Sequence, residues 1–249
     1  MIAAIIQARL NSTRFPRKVL TELEGKPLIY HVVDRLRWSK RIEKIALATT
    51  VNPADDELVE WAYKNDLPCF RGSEEDVLDR YFMASKSLNA DMVVRITSDD
   101  PFKDPVIIDS VIYLLISGRL DFAYNNKPPS FPEGLDIEVF TFEALERASK
   151  ESIDPFEREH VTQYFYRNPV KFKQTNHAYK KDLSSLRWTI DTEKDLEMAR
   201  IVYKELYHEG EIFLFEDILN LLDKKPWISS INNSVKRSAM YLNSNKKTV

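Results

Sequence analysis

The sequence predicts an α/β fold: a Rossmann-like, mostly parallel central sheet with helices on both faces. Three observations predict it. Short apolar, β-prone runs recur at 2–6, 44–49, 68–71, 92–97 and 120–124. Stretches with helical spacing separate them. Strand and helix alternating in this order form βαβ crossovers, which make the strands parallel and put helices outside. Ligands of such sheets sit beyond the carboxyl ends of the strands. The loops after residues 6, 50 and 97 are therefore where chemistry is expected.

The elements follow in order. Residues 2–6 are apolar but meet Gln7 and Arg9 too soon for a secretory signal, so they read as a buried strand. In 27–38, Pro27 suits a first helical position, and Leu28, Val32, Arg35 and Leu36 follow at helical spacing. Residues 44–49 are the second strand. The helix at 53–65 starts from Pro53 and aligns Leu58, Trp61 and Ala62. Ser73 and Asp76 make a capping box for a helix reaching 88. The strand at 92–97 runs into the polar turn Ser98, Asp99, Asp100, Pro101. A helix near 105–117 and the strand near 120–124 come next. Residues 125–134 concentrate Pro and Asn and read as an irregular loop. Beyond them the pattern predicts strands at 135–140, 171–176 and 186–190, and helices at 141–151, 156–167 and 192–208. No linker of distinct composition interrupts the chain. It reads as one domain, 1–228, with a β-containing excursion at 125–185 and a frayed polar tail at 229–249.

Composition narrows the function. The 249 residues carry 39 acidic and 36 basic side chains, a net charge of -3, which argues against nucleic acid held by bulk positive charge. No apolar run approaches the ~18 residues of a membrane span. The one cysteine, Cys69, allows no intrachain disulfide and no cysteine-rich zinc site, so a reducing, cytoplasmic setting is expected. Only five glycines occur, and none is spaced as G-x-G-x-x-G or a Walker A loop. Any phosphate bound here needs another cradle.

That cradle has a candidate in residues 7–18, which hold four cations together with Ser12 and Thr13. A cationic turn at a strand's carboxyl end suits a polyanion such as a nucleoside triphosphate. Asp99 follows a hydrophobic strand directly. Asp191 stands just before a helix whose cap is Thr192 and whose third residue is Asp195. Mg²⁺ prefers one or two carboxylates completed by water and substrate phosphates, so Asp99 or Asp100, which both follow that strand, and Asp191 are the candidate metal ligands. An Asx turn or helix cap explains Asp99 equally well, and a structural role for a lone histidine such as His160 is the commoner one.

The stretch 6–20 (IQARLNSTRFPRKVL) resembles the opening signature of the sugar-acid cytidylyltransferases, the CMP-Kdo and CMP-sialate synthetases, in the branch of the spore-coat polysaccharide protein SpsF. The resemblance continues through 72–81 (GSEEDVLDRY), 95–101 (RITSDDP), 133–140 (EGLDIEVF), 158–162 (REHVT) and 189–196 (TIDTEKDL), in order, over about residues 2 to 200. It implies a nucleotide-diphosphosugar transferase fold, CTP as donor, an acidic sugar as acceptor, Mg²⁺ as cofactor and a homodimer. Residue by residue, Ala8, Arg9, Ser12, Thr13, Arg14, Lys18 and Arg80 match the nucleotide site. Asp99 and Asp191 match the metal ligands, and Asp136, Glu138, Arg158 and His160 the sugar site. Arg9, Lys18, Asp99 and Asp191 are expected to carry the chemistry. The sequence departs from the family at Asn11 and Arg17, where relatives often carry glycine; Asn11 tolerates a left-handed turn better than most residues. Three other readings remain: another nucleotidyltransferase or a glycosyltransferase on the same fold, and a catalytically silent binding module.

Overall fold

In a computed structural model, which describes residues 1–11 and 15–236, the apolar runs assemble into one seven-stranded sheet. The chain passes through β1 (Ile2–Gln7), the small hairpin β2 (Glu22–Leu23) and β3 (Lys26–Pro27), α1 (Leu28–Arg37), β4 (Lys44–Thr50), α2 (Asp56–Lys64) and β5 (Cys69–Gly72). It continues through α3 (Val77–Leu88), β6 (Met92–Thr97), α4 (Pro105–Gly118), β7 (Phe122–Tyr124), β8 (Glu138–Thr141), α5 (Phe142–Glu151), α6 (Pro155–Glu159) and α7 (Gln163–Arg167). β9 (Gln174–Asn176), α8 (Glu193–Leu206), α9 (Phe215–Lys224) and α10 (Trp227–Ser230) complete it. The strand order is β5-β4-β1-β6-β8-β7-β9, and β8 alone runs against its neighbours.

Alternating side chains send the sheet's apolar residues into two cores, as a sheet covered on both faces requires. Ala4, Ile6, Leu47 and Val94 pack with α1, α4, α8 and α9. Ala3, Ile5, Ala48 and Val93 pack with α3, α5 and α7 around Tyr81, Phe140 and Phe165. The chain leaves β1 for the β4–β5 side and later returns to its other side as β6. This reversal opens a crevice at the carboxyl ends of β1 and β6.

Several local expectations change. α3 is capped by Asp76, which accepts from the Asp79 N–H, while Ser73 Oγ accepts from the Asp76 N–H; the helix therefore starts later than a cap at Ser73 implies. The helix expected at 156–167 is two helices, because a tight turn at His160–Thr162 with Val161 at φ 51° interrupts it. The strand expected at 135–140 begins at Glu138. The strand expected at 186–190 does not form. Its backbone changes partner within a few residues: Trp188 donates to Glu133 and Ile190 donates to Asp99, so no ladder develops. α9 has no counterpart in the expected elements. Within 229–236, the stretch expected to open the tail, Asn232 is buried and Ile231 packs against the core, while Ser230, Asn233, Ser234 and Lys236 are exposed; 237–249 lie outside the described residues. No helix among the described residues is long and apolar enough to cross a membrane.

Candidate active site

The loop leaving β1 is shaped by buried polar contacts rather than by glycine. Asp55, itself buried, accepts the Leu10 N–H through Oδ1 at 2.7 Å and the Thr50 hydroxyl through Oδ2. The Arg17 N–H closes the loop onto the Leu10 carbonyl at 3.0 Å. Among the described residues of this loop the left-handed conformation falls at Arg17, φ 59°, and not at Asn11. Arg17 stands where relatives often carry glycine, and this backbone supplies the reason. Its guanidinium turns to α2, forming a two-pronged contact with Glu57 at 2.6 and 2.9 Å. Ser12, Thr13 and Arg14 lie outside the described residues.

The loop ends by delivering Lys18 into the crevice. Its ammonium donates to Asp99 Oδ2 at 2.7 Å, Asp191 Oδ1 at 2.8 Å and the Ile190 carbonyl at 3.0 Å, which engages all three protons. Burial by itself would lower the Lys18 pKa and raise that of Asp99. The facing charges prevail: Lys18 is raised, and the Asp99 carboxyl is pulled down to about 2. Two aspartates separated by 92 positions in sequence (99 and 191) thus converge on one positive charge. Asp100 points elsewhere, accepting from Thr97 Oγ1 at 2.6 Å and pairing with Lys103 at 2.9 Å.

This geometry bears directly on Mg²⁺. The ammonium is a stand-in cation seated between two carboxylates, one of them a quarter exposed. No group of three or more His, Cys, Asp or Glu among the described residues could hold a metal by itself. A two-carboxylate set left for water and phosphate to complete is the donor chemistry Mg²⁺ favours. The residues fit the ion.

Beside the loop, on the α3 side of the sheet, two buried polar atoms lack any hydrogen-bond partner among the described residues: Gln7 Oε1 and Arg80 Nε. Gln7 follows Ile5 on the face that packs against α3. Arg80, on α3, is tied at the other end of its guanidinium to the Ser73 carbonyl. Gln7 offers an acceptor and Arg80 a donor that no described residue engages. Gln7 carries no sequence signal beyond its place at the strand end. Arg9 stays exposed, 3.4 Å from Glu74, and Ala8 is buried beside Ala48.

Of the residues expected at the sugar site, Glu138 and His160 lie near Arg95, whereas Arg158 and the Asp136 side chain are not brought into that group. Arg95 of β6, Glu138 of β8 and Tyr124 of β7 are register neighbours across three strands. Glu138 is buried and held by protein groups: Arg95 at 2.6 Å on Oε2, and Thr162 and Tyr166 hydroxyls at 2.8 Å on Oε1. Burial would raise its pKa, yet Arg95 and these hydrogen bonds lower it overall. His160 lies on Phe156, and its pKa is lowered by burial and by the charge of Arg95. Lys127 sits over the Tyr166 ring at 4.7 Å, with no carboxylate paired to it among the described residues. Asp136 offers its backbone carbonyl to Lys103. Arg158 is directed away, to Asp76 at 2.7 Å and to the carbonyls of Ser149 and Ser152. Sequence reasoning singled out neither Arg95 nor Tyr166 as a site residue; their alternation within apolar runs reads as ordinary strand and helix.

Arg187 was also without a sequence signal. Buried between strand-like segments, it pairs with Asp191 at 2.9 Å, Asp195 at 2.9 Å and Glu133 at 2.8 Å. Gly134 makes this possible: at φ 105°, a Cβ there would stand 2.7 Å from the Thr189 nitrogen and 2.8 Å from the Trp188 carbonyl carbon. Only glycine lets the two segments approach.

Residues 3–225 match the family described as cytidylyltransferase. The chain is 31% identical over 234 residues to the spore coat polysaccharide biosynthesis protein SpsF of Bacillus subtilis, covering 90% of this chain and 95% of that protein. A cytidylyltransferase structure from Leptospira borgpetersenii superimposes with a TM-score of 0.88 at 34% identity, over 95% of this chain and 99% of the other. The structure of CMP:2-keto-3-deoxy-manno-octonic acid synthetase with CTP shares the fold, with a TM-score of 0.61 at 18% identity over 82% and 99% of the two chains. The chain belongs to the cytidylyltransferase family, whose activity is nucleotidyl transfer.

Proposed function

We propose that the protein transfers CMP from CTP to a hydroxyl of an acidic sugar and releases pyrophosphate, with Mg²⁺ held by Asp99 and Asp191. The observation that carries the reading is the Lys18 ammonium between those two carboxylates at the carboxyl end of β6. The acceptor oxygen forms a bond to the α-phosphorus as the bond to the pyrophosphate oxygen breaks, and the hydroxyl proton is lost. Such transfers depend on positioning and charge and need no covalent protein nucleophile.

The ion, when bound, neutralises phosphate charge and polarises the α-phosphoryl oxygen. Lys18 moves its positive charge from the aspartates toward the triphosphate, a short step for an ammonium on a flexible stem. Arg9 and Arg14, with Ala8, Ser12 and Thr13 of the same sequence motif, would meet the departing pyrophosphate. Gln7 Oε1 and Arg80 Nε match an amino group and a carbonyl on one edge of cytosine. Arg95 and the exposed Lys127 give the acceptor side positive charge suited to a sugar carboxylate, and His160, its pKa lowered by burial, offers a neutral imidazole beside them. Glu138 acts behind it by holding Arg95. The similarity to SpsF, a spore coat polysaccharide biosynthesis protein, supports a surface-glycan product. A cytoplasmic homodimer joined through the excursion at 125–185 completes the reading.

Pyrophosphate release tests it, with Mg²⁺, each of four nucleoside triphosphates, and panels of acidic and neutral sugars. Release with CTP and an acid alone is expected. Release with a neutral sugar removes the acid. Turnover of a preformed nucleotide sugar without pyrophosphate overturns the whole reading.

A further inference from the structure

Asp191 is held from behind by a buried network that ends in the C-terminal segment. Its Oδ2 takes the Arg187 guanidinium at 2.9 Å, leaving Oδ1 for the cation seat now filled by Lys18. Asp195, fully buried, fixes both residues. Its Oδ1 accepts Arg187 Nε at 2.9 Å, and its Oδ2 accepts the backbone N–H groups of Asp191 at 3.1 Å and Thr192 at 2.9 Å. Burial works against the Arg187 charge, but its bonds to Asp195 and the charge of Glu133 raise its pKa overall, so it stays a cation.

Asn232 closes the network. It is 3% exposed, and its Nδ2 donates to Asp195 Oδ1 and to the Arg187 carbonyl, both at 2.9 Å. It is thus bonded to the side chain that orients Arg187 and to the Arg187 backbone. The segment that carries it is anchored by Ile228 in the core formed by α8 and α9. This residue lies beyond the 3–225 matched by the family.

We propose that Asn232 is a positioning residue for Asp191, acting through Asp195 and Arg187, and that the C-terminal segment is thereby part of the active-site scaffold. The inference rests on the reading of Asp191 as a metal ligand. Partners that orient a ligand carboxylate commonly change metal affinity or turnover by about 10- to 100-fold when removed.

The test compares Asn232→Leu, Asn232→Ser and Asp191→Asn in the full chain, reading Mn²⁺ affinity with CTP by electron paramagnetic resonance and kcat at saturating substrates. Asn232→Leu keeps the volume but removes the donor, and is expected to weaken Mn²⁺ binding and kcat about 10-fold while the KM for the acceptor holds. Asn232→Ser, which retains one donor on a small side chain and guards against misfolding, is expected to fall between Leu and wild type. Wild-type Mn²⁺ affinity and kcat in folded Asn232→Leu, with Asp191→Asn still impaired, overturns the role of Asn232 alone. Unimpaired Mn²⁺ binding and kcat in Asp191→Asn overturns the metal reading, and the positioning proposal falls with it.

Discussion

The two ends of the β6 strand's surroundings are built in contrasting ways. On the proposed nucleotide side, β5, β4, β1 and β6 run parallel, and Asp99 sits just past the carboxyl end of β6. Lys18, Asp99 and Asp191 form one closed electrostatic cluster there. On the acceptor side, β8 reverses direction, the helix pair α6–α7 is broken at Val161, and Lys127 is left exposed without a paired carboxylate among the described residues. In the first region one ammonium is held between two carboxylates, whereas the second leaves the Lys127 ammonium exposed. On the proposed reading the contrast is a division of labour: the regular half of the sheet would carry the reaction chemistry and its irregular half the acceptor specificity.

The largest expected effect breaks the nucleotide side. Asp99→Asn keeps the shape of the carboxyl but removes a charge from the cation seat. It is expected to lower kcat by about 10²-fold or more, the scale for loss of a preorganised charge-stabilising group, with far-UV circular dichroism unchanged. A kcat within a few-fold of wild type removes Asp99 from the chemistry. Asp191→Asn is the less clean variant, because it also strips Arg187 of one partner in a buried network.

Acid pH separates the two sides in a different way. His31 of α1, on the nucleotide side, is buried among Tyr30, Tyr203 and Tyr207, with Nε2 2.7 Å from the Leu23 carbonyl. Burial, together with the charges of Arg35 and Lys26, pushes its pKa down to about 4. The folded state therefore holds His31 neutral where the unfolded chain would be protonated. Stability is expected to fall as pH drops from about 6.5 toward about 4, by up to ~3 kcal/mol. Glu138 has the opposite sense of partner: its lowered pKa makes its contribution present above the ordinary carboxylate value and lost only in stronger acid. Thermal denaturation at pH 7.5, 5.5 and 4.5 checks this, with His31→Gln expected to flatten the slope between the first two. An unchanged slope in that variant assigns it elsewhere.

Much of this contrast could be read before the fold was known. A cationic loop after one apolar run and an aspartate just past another are local signals, so Lys18 and Asp99 stood out; Asp191 stood out as well, but from an expected strand at 186–190 that does not form. The glycine shortage pointed the same way, toward side chains and backbone in place of a glycine cradle. Arg187 and Asn232 could not be read, because their meaning comes from partners up to 54 positions apart, Glu133 and Arg187 in one contact and Arg187 and Asn232 in another. The strand expected at 186–190 fails for a related reason. Its pattern is strand-like, but Gly134 draws it against Glu133 for one bridge and the Asp99 turn then takes it over. The broken helix at 160–162 has no composition signal, since Val161 is among the residues least expected to adopt a positive φ.

The acceptor side yields the smaller effects. Glu138→Gln loosens the hold on Arg95 and is expected to raise the acceptor KM about tenfold, the scale of one charged hydrogen bond, with the KM for CTP unchanged. A matching rise for CTP would place Arg95 on the nucleotide instead. The smallest effect concerns Val161, whose backbone sits at φ 51° while its side chain is fully buried. The turn it makes brings the Thr162 N–H to the His160 carbonyl at 2.5 Å and the Thr162 hydroxyl to Glu138. A β-branched residue held there stores about 1–3 kcal/mol. Removing a buried valine side chain costs a similar amount, about 1.5–3 kcal/mol. Val161→Gly is therefore expected to shift stability by less than about 1 kcal/mol, because relief of the backbone offsets the lost packing. Its effect on acceptor KM then isolates what the strained turn does. A stability loss of the full valine value would show that the backbone is at ease at this φ. A near-neutral melt with a raised acceptor KM would show that strain is maintained at Val161 because the turn aims Thr162 at Glu138.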